Sequence, residues 1–262
     1  MKILKKKYTQ KGICISCLFV FLVLSSWEFF SRHGIISSFF FPSPCKILQT
    51  IYSFFMDGTL SIHLLATLQR LLFGFLIGCN VGFILGILMG YSSFFRNMID
   101  PFIAAIHPIP KIALLPLIMA ILGIGEASKI FSIALASFFP MVINTMSGVM
   151  QIPKDYYEIA RSYGAGNYHI FLRVILPASM PSTLSGVRLA LNMSLVNTIA
   201  IEIISAKNGL GTLIWFAWET LHLAELYATL VVISLLGSSF NFLMQRLYSI
   251  LVPWREMNKS DN

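Results

Sequence analysis

The sequence predicts an all-α integral membrane protein of about six transmembrane helices, and three observations carry that prediction. Of the 262 residues, 56% are hydrophobic and only 11% are charged, against roughly 25% charged in soluble domains. Mean hydropathy is +0.78. A helix needs about 20 apolar residues to cross a bilayer core, and six stretches qualify: residues 12–30, 62–91, 101–122, 129–150, 183–206 and 226–249. The 22 Phe and 12 Met suit a closely packed, lipid-facing bundle, and the length is that of one domain.

The first stretch follows five lysines within Met1–Lys11 and runs from Gly12 to Trp27, the arrangement of a secretion signal's charged and apolar regions. No small-x-small cleavage site follows, because Ser26-Trp27-Glu28-Phe29 is a poor one, so a retained helix is expected. In the second stretch Gly74, Gly78, Gly82, Gly86 and Gly90 recur every four residues and leave a bare stripe where another backbone can come close. That stripe serves either packing inside the subunit or an interface between subunits. The third stretch is interrupted by Pro108, Pro110 and Pro116; broken backbone at membrane depth is tolerated where it lines water or is buried in protein. The fifth carries Glu202. The expected organisation is a tail, first helix and external loop over 1–61, a core transmembrane domain over 62–251, and a cytoplasmic tail over 252–262.

The net charge is +8, but the lysines and arginines are scattered between apolar stretches rather than forming the continuous basic face of a nucleic-acid binder. They read as topology. Lys2, Lys5, Lys6, Lys7, Lys11, Arg96, Lys154, Arg161, Arg173, Arg246, Arg255 and Lys259 fall on one side of the six spans, and Arg32, Lys46, Lys129 and Lys207 on the other. Cytoplasmic loops carry the excess of positive charge, so both termini are expected in the cytoplasm. The four cysteines form no disulfide or metal framework; Cys14 and Cys17 lie in an apolar run.

No catalytic constellation is present. The chain has no G-x-x-x-x-G-K-[ST] phosphate loop and no Gly-Lys dipeptide, so ATP cannot be held in that way. G-x-S-x-G and H-E-x-x-H are absent too, and Gly123-x-Gly125 and Gly209-x-Gly211 read as turns near span ends. Ionisable groups at membrane depth are costly and tend to face a cavity or a partner, which singles out Glu202, Lys111 and His107. Glu202 serves either a solute pathway or a structural hydrogen bond. Asn144, Asn192 and Asn197 line a polar route or join helices. Lys111 is expected to extend its ammonium toward the cytoplasmic interface, with attraction of an anion as the other reading.

Residues 150–181, MQIPKDYYEIARSYGAGNYHIFLRVILPASMP, are too mixed to span a membrane and fall on the cytoplasmic side. Pro153 and the acidic Asp155 and Glu158 suit a helix start, and Gly164 with Gly166 suit its end. Here the chain resembles the permeases of bacterial ABC importers, whose signature is an acidic residue, alanines, glycine and a Leu-Pro pair at fixed spacing. Glu158, Ala160, Gly164, Val174, Leu176 and Pro177 match, while Ile159 stands where a second alanine is preferred. The segments 107–131, 138–145 and 202–217 look like the nitrate, sulfonate and taurine subgroup, a pattern shared with permeases for thiamine-type pyrimidine precursors.

The resemblance implies a type I ABC importer permease fold in the bacterial inner membrane. Residues 150–181 would contain a coupling helix docking on a cytoplasmic ATPase, with Glu158, Ala160, Gly164, Leu176 and Pro177 at its core. ATP and Mg would sit on that partner and no cofactor or metal on this chain. A homodimer served by an external solute-binding protein is implied as well, with a small anion as the leading solute. An ion-coupled carrier would instead show paired broken helices and several buried carboxylates; only one conspicuously broken span and Glu202 are visible.

Overall fold

The computed structural model describes residues 10–253. Lys2, Lys5, Lys6, Lys7, Arg255 and Lys259, and most of the expected tail over 252–262, lie outside the described residues. Among the described residues every regular element is helical: α1 (Gln10–Arg32), α2 (Pro44–Met56), α3 (Thr59–Tyr91), α4 (Ser93–Ile106), a 3-10 turn (Lys111–Leu114), α5 (Leu115–Leu122), α6 (Glu126–Met150), α7 (Lys154–Ser162), α8 (Asn167–Ile170), a π turn (Phe171–Ile175), α9 (Leu176–Ser205), α10 (Leu210–Glu219) and α11 (Leu223–Leu251). Five helical stretches are long and apolar enough to cross a membrane, or six when α4 and the Lys111–Leu122 segment count as one bent span. The chain divides into two compact units, one drawing on residues up to Ala66, on Glu202–Ser239 and on Pro253, the other on Thr67–Ile201 and Phe240–Val252.

In the first unit the loop expected up to residue 61 contains a helix. Ser43 begins α2 by accepting the Lys46 N–H on its hydroxyl at 3.4 Å, and Pro44 occupies the first turn, where a missing N–H costs nothing. Glu28 of α1 accepts the Cys45 N–H at 2.9 Å and pairs with Arg32, and Ser31 Oγ donates to the Phe41 carbonyl at 2.8 Å. These bonds fix α2 against the end of α1. Glu202 is fully buried. Its Oε2 accepts the Gly211 N–H at 3.0 Å, and Thr212 Oγ1 donates to its backbone carbonyl at 3.2 Å. Gly209, with φ at +144°, lies so close to this carboxylate that no Cβ fits.

The second unit is built on two parallel helices. A Cβ on Gly74 would lie 2.6 Å from Ile133 Cβ, one on Gly82 2.8 Å from the Phe138 carbonyl oxygen, and one on Gly90 2.5 Å from Val149 Cβ. At Gly78 the intruding neighbours are the Ala134 carbonyl and Ser137 Oγ, and at Gly86 the Thr145 side chain. The glycines of α3 thus receive α6 along its whole length, in matching order. Ser137, fully buried, donates to the Ala134 carbonyl of its own helix at 3.0 Å and lies 3.3 Å from the Gly74 carbonyl.

The third expected span, 101–122, takes a different form. Helix α4 starts earlier, at Ser93, and contains Pro101; α4 and the Lys111–Leu122 segment then meet at 91°. Pro108 and Pro110 fall in the gap, where their missing N–H groups remove the bonds that would continue α4. Pro116 does not interrupt anything, because it lies in the first turn of α5. The fifth span also begins earlier than residue 183. Residues 167–205 are helical throughout, with Pro181 inside α9. Pro177 has no N–H for the Arg173 carbonyl, and the preceding turn widens so that the Leu176 N–H reaches Phe171 O.

Candidate functional site

Two sites in the second unit stand out. The first is the segment leaving α6. After Met150 only three residues precede α7, a helix with two unlike faces. Ala160 and Tyr157 pack against the buried cluster of Ile87, Val149, Ile152, Ile170 and Ile175, which also receives Val174. Asp155, Glu158, Ile159 and Ser162 are exposed, Ile159 by 55%. Among the described residues the Glu158 carboxylate has no hydrogen bond or ion pair; its backbone carbonyl accepts Ser162 Oγ at 3.0 Å.

The end of α7 is closed by a paired hydrogen-bond motif. The Gly164 N–H donates to the Arg161 carbonyl at 2.8 Å and the Ala165 N–H to the Ala160 carbonyl at 3.0 Å, satisfying two carbonyls that a helix end leaves open. Gly164 has φ +77°, the left-handed region where a side chain is disfavoured. Ala165 then joins Ala160 on the same apolar cluster. Leu176 and Pro177 form the first turn of α9, beyond the π turn. The spaced residues singled out in sequence therefore frame one segment, packed on one side against the ends of α3 and α6 and against Ile170 and Ile175 of α8 and the π turn. Burial, with the neighbouring Tyr91 phenol as the lesser cause, holds the Tyr157 hydroxyl above the ordinary tyrosine range.

The second site is a cavity of about 340 Å³ at the α4–α5 bend, lined in part by His107, Lys111, Phe139, Met193, Val196 and Asn197. Lys111 Nζ donates to the Ile106, His107 and Ile109 carbonyls, each at 2.9 Å, and stands 4.1 Å from the centroid of the Phe139 ring. Instead of reaching for an interface, this ammonium caps the open end of α4, where carbonyl oxygens lack helical partners. Asn197 is buried and donates from Nδ2 to the Ser132 carbonyl at 3.1 Å, joining α9 to α6 beside the cavity. Asn144 does not line it. Its Nδ2 donates to the Pro140 carbonyl of its own helix at 2.8 Å, and its Cβ fills the space left by Gly186. Asn192 Oδ1 accepts from Asn241 Nδ2 at 3.5 Å. Glu202, in the first unit, is committed to the 206–212 turn described above.

One group was not read from the sequence, where Lys129 counted only among the outer-side charges, whereas it lies buried in α6. Arg70 of α3 forms a two-pronged pair with Glu126, Nε to Oε2 at 2.6 Å and Nη2 to Oε1 at 2.9 Å, and Lys129 Nζ adds a third bond to Oε1 at 2.9 Å. Both cations are buried, their side chains 8% and 7% exposed, while Glu126 is 55% exposed. An arginine inside an apolar stretch was itself the signal, since such a charge at depth needs a partner.

Helices long and apolar enough to cross a membrane, and a short helix packed on one face and open on the other, fit a membrane transport subunit. The comparisons with known proteins agree. The family model described as the binding-protein-dependent transport system inner membrane component matches residues 82–257. A probable ABC transporter permease protein of Brucella abortus is 33% identical over 245 residues, covering 94% of this chain and 97% of that protein. The taurine transport system permease protein of Escherichia coli is 33% identical over 238 residues (89% and 86%), and the nitrate import permease protein of Synechocystis 31% identical over 221 residues (81% and 80%). The inward-facing MetNI methionine ABC transporter shares the fold, with a TM-score of 0.62 at 19% identity over 71% of this chain and 92% of that one. This chain belongs to the family of binding-protein-dependent transport system inner membrane components, the permeases of ABC transporters.

Proposed function

We propose that this permease passes a small anionic solute of the sulfonate, taurine or nitrate class into the cell, and that α7 is its coupling helix. The observation that carries the solute class is the set of relatives about one-third identical over most of their length, among them permeases named for taurine and nitrate. The coupling role rests on the exposed face of α7, where Glu158 and Ile159 are free to meet a partner while Ala160 is anchored beneath. Two copies of the chain surround the path, two cytoplasmic ATPase subunits seat against the two α7 helices, and a solute-binding protein delivers from the opposite face. ATP and Mg belong to the ATPase subunits; this chain carries neither cofactor nor catalytic group.

Six crossings put both termini on one side, and the excess of Arg96, Lys154, Arg161 and Arg173 at the α7 end favours the cytoplasm for that side. The cavity at the α4–α5 bend, with Asn197 and the Lys111 charge in its wall, is the segment of the path where solute passes. Reconstitution with the ATPase and binding protein in proteoliposomes tests the reading: ATP-dependent accumulation of labelled taurine, an alkanesulfonate or nitrate supports it. Accumulation of a thiamine-type pyrimidine with no anion uptake would overturn the solute class, and uptake independent of ATP would overturn the coupling role.

A further inference from the structure

A second cavity, of about 550 Å³, opens where the ends of α3 and α6 meet the starts of α4 and α7, and its chemistry is unlike that of the first. Tyr91, Arg96, Lys154, Tyr157 and Arg161 line it, with Val149 among its apolar wall. No carboxylate lines it among the described residues. Arg96 is half-buried, and none of Arg96, Lys154 and Arg161 forms an ion pair among the described residues. Lys154, Tyr157 and Arg161 stand three and four residues apart on α7 and so share one stripe of that helix, turned away from Ile159. Glu158 borders that stripe, four residues from Lys154 and three from Arg161, but neither lines the cavity nor pairs with either cation among the described residues. Three cations gathered in one cavity repel one another, an arrangement that an anion relieves.

We propose that this cavity binds the phosphate of an anionic phospholipid headgroup. Arginine presents paired N–H donors that match phosphate oxygens, and the Tyr157 hydroxyl, kept protonated, is a further donor at the rim. The depth fits a lipid: Gly90 and Tyr91 end one membrane-spanning helix, and Val149 and Met150 end another. Tyrosines at the ends of spans occupy the headgroup level. On a neighbouring face of α4 the exposed Phe95, Met98 and Phe102 form a stripe that starts beside Arg96 in sequence, an apolar track open to an acyl chain. Basic cavities between spans at a membrane face are suited to anionic headgroups. Free inorganic phosphate shares the charge chemistry but would leave that track unused, and Ile159, on the side of α7 opposite the cation stripe, stays available to a docking ATPase.

The test uses the assembled transporter purified in mild detergent and examined by native mass spectrometry after incubation with phosphatidylglycerol, phosphatidylcholine or inorganic phosphate. Retained phosphatidylglycerol on the permease chain is expected, with little phosphatidylcholine, and with no displacement by millimolar phosphate. Each of R96Q, K154Q and R161Q is expected to lower retention roughly fivefold, and the triple variant to bring it to the phosphatidylcholine level. K207Q, in another segment, and R161K, which keeps the charge, are expected to retain the lipid, which separates loss of the site from loss of the fold. Equal retention of both lipids, an unchanged triple variant, displacement by phosphate, or loss of the lipid whenever the ATPase is bound would each overturn the proposal.

Discussion

The ammonium of Lys111 lies over the face of Phe139, 4.1 Å from the ring centroid, while its three hydrogens point at three carbonyls of the α4–α5 bend. A cation over an aromatic face and three charge-assisted bonds are worth far more together than one exposed charge. Removing the charge in K111M should therefore loosen the bend, with a loss of about 2 kcal/mol of stability read as a lower thermal midpoint in detergent. K111R should recover only part, since a planar guanidinium cannot aim three donors at converging carbonyls.

The glycines of α3 predict a steep contrast. Gly78→Ala pushes a methyl into the Ala134 carbonyl and Ser137 Oγ, an overpacking expected to cost about 1–3 kcal/mol. At Gly166 nothing lies within 4 Å of a built Cβ, so Gly166→Ala should leave the thermal midpoint unchanged or slightly raised. Equal effects at the two positions would contradict the packing described for α3 and α6.

Gly164→Val forces a β-branched side chain into the left-handed region, a strain of about 1–2 kcal/mol. Because its surroundings are open, the strain falls on the end of α7 rather than on the spans. Membrane insertion should persist while ATP hydrolysis stimulated by solute and binding protein falls; lost insertion would assign Gly164 a folding role instead.

Glu126→Gln leaves the buried Arg70 and Lys129 facing an amide. Unmatched buried charge is costly, and with Glu126 itself half in solvent the loss should be on the order of 2 kcal/mol. The double variant R70M/E126Q should be more stable than E126Q alone, a comparison that a thermal shift series measures directly.

Glu158→Lys reverses the charge on the exposed face of α7 without touching a described side-chain partner. Stability should stay within about 0.5 kcal/mol of the parent, while co-purification of the ATPase subunit declines. Undiminished recruitment and transport would remove Glu158 from the docking surface.

The spans were legible because each is an apolar run long enough to be recognised by composition alone, and α7 because Pro153 and Gly164 bracket it. The glycine spacing announced a close helical neighbour but not that the neighbour is α6, 59 residues further on at the Gly74–Ile133 approach. Helix α2 carried a readable start in Ser43-Pro44 that was absorbed into a loop, since its 13 residues are too few to register as a span. The bend at 107–110 followed from the prolines; its angle did not, because Lys111 and Phe139 meet only once α6 is in place. Pro177 and Pro181 concealed the true start of the fifth span, as a helix that widens into a π turn keeps going where a regular one would stop. Arg70 and Glu126 are 56 residues apart, and no local pattern joins them.

The parallel pairing of α3 with α6 has a mechanical meaning. The first and last close approaches, Gly74 to Ile133 and Gly90 to Val149, are separated by sixteen residues on both helices, so the two advance in step for about 24 Å. Two helices keyed together at every turn resist flexing far better than one. In the coupling role proposed for α7, which follows α6 after three residues, a push received there would enter a paired strut and be carried along it as displacement instead of being absorbed as curvature near the point of load.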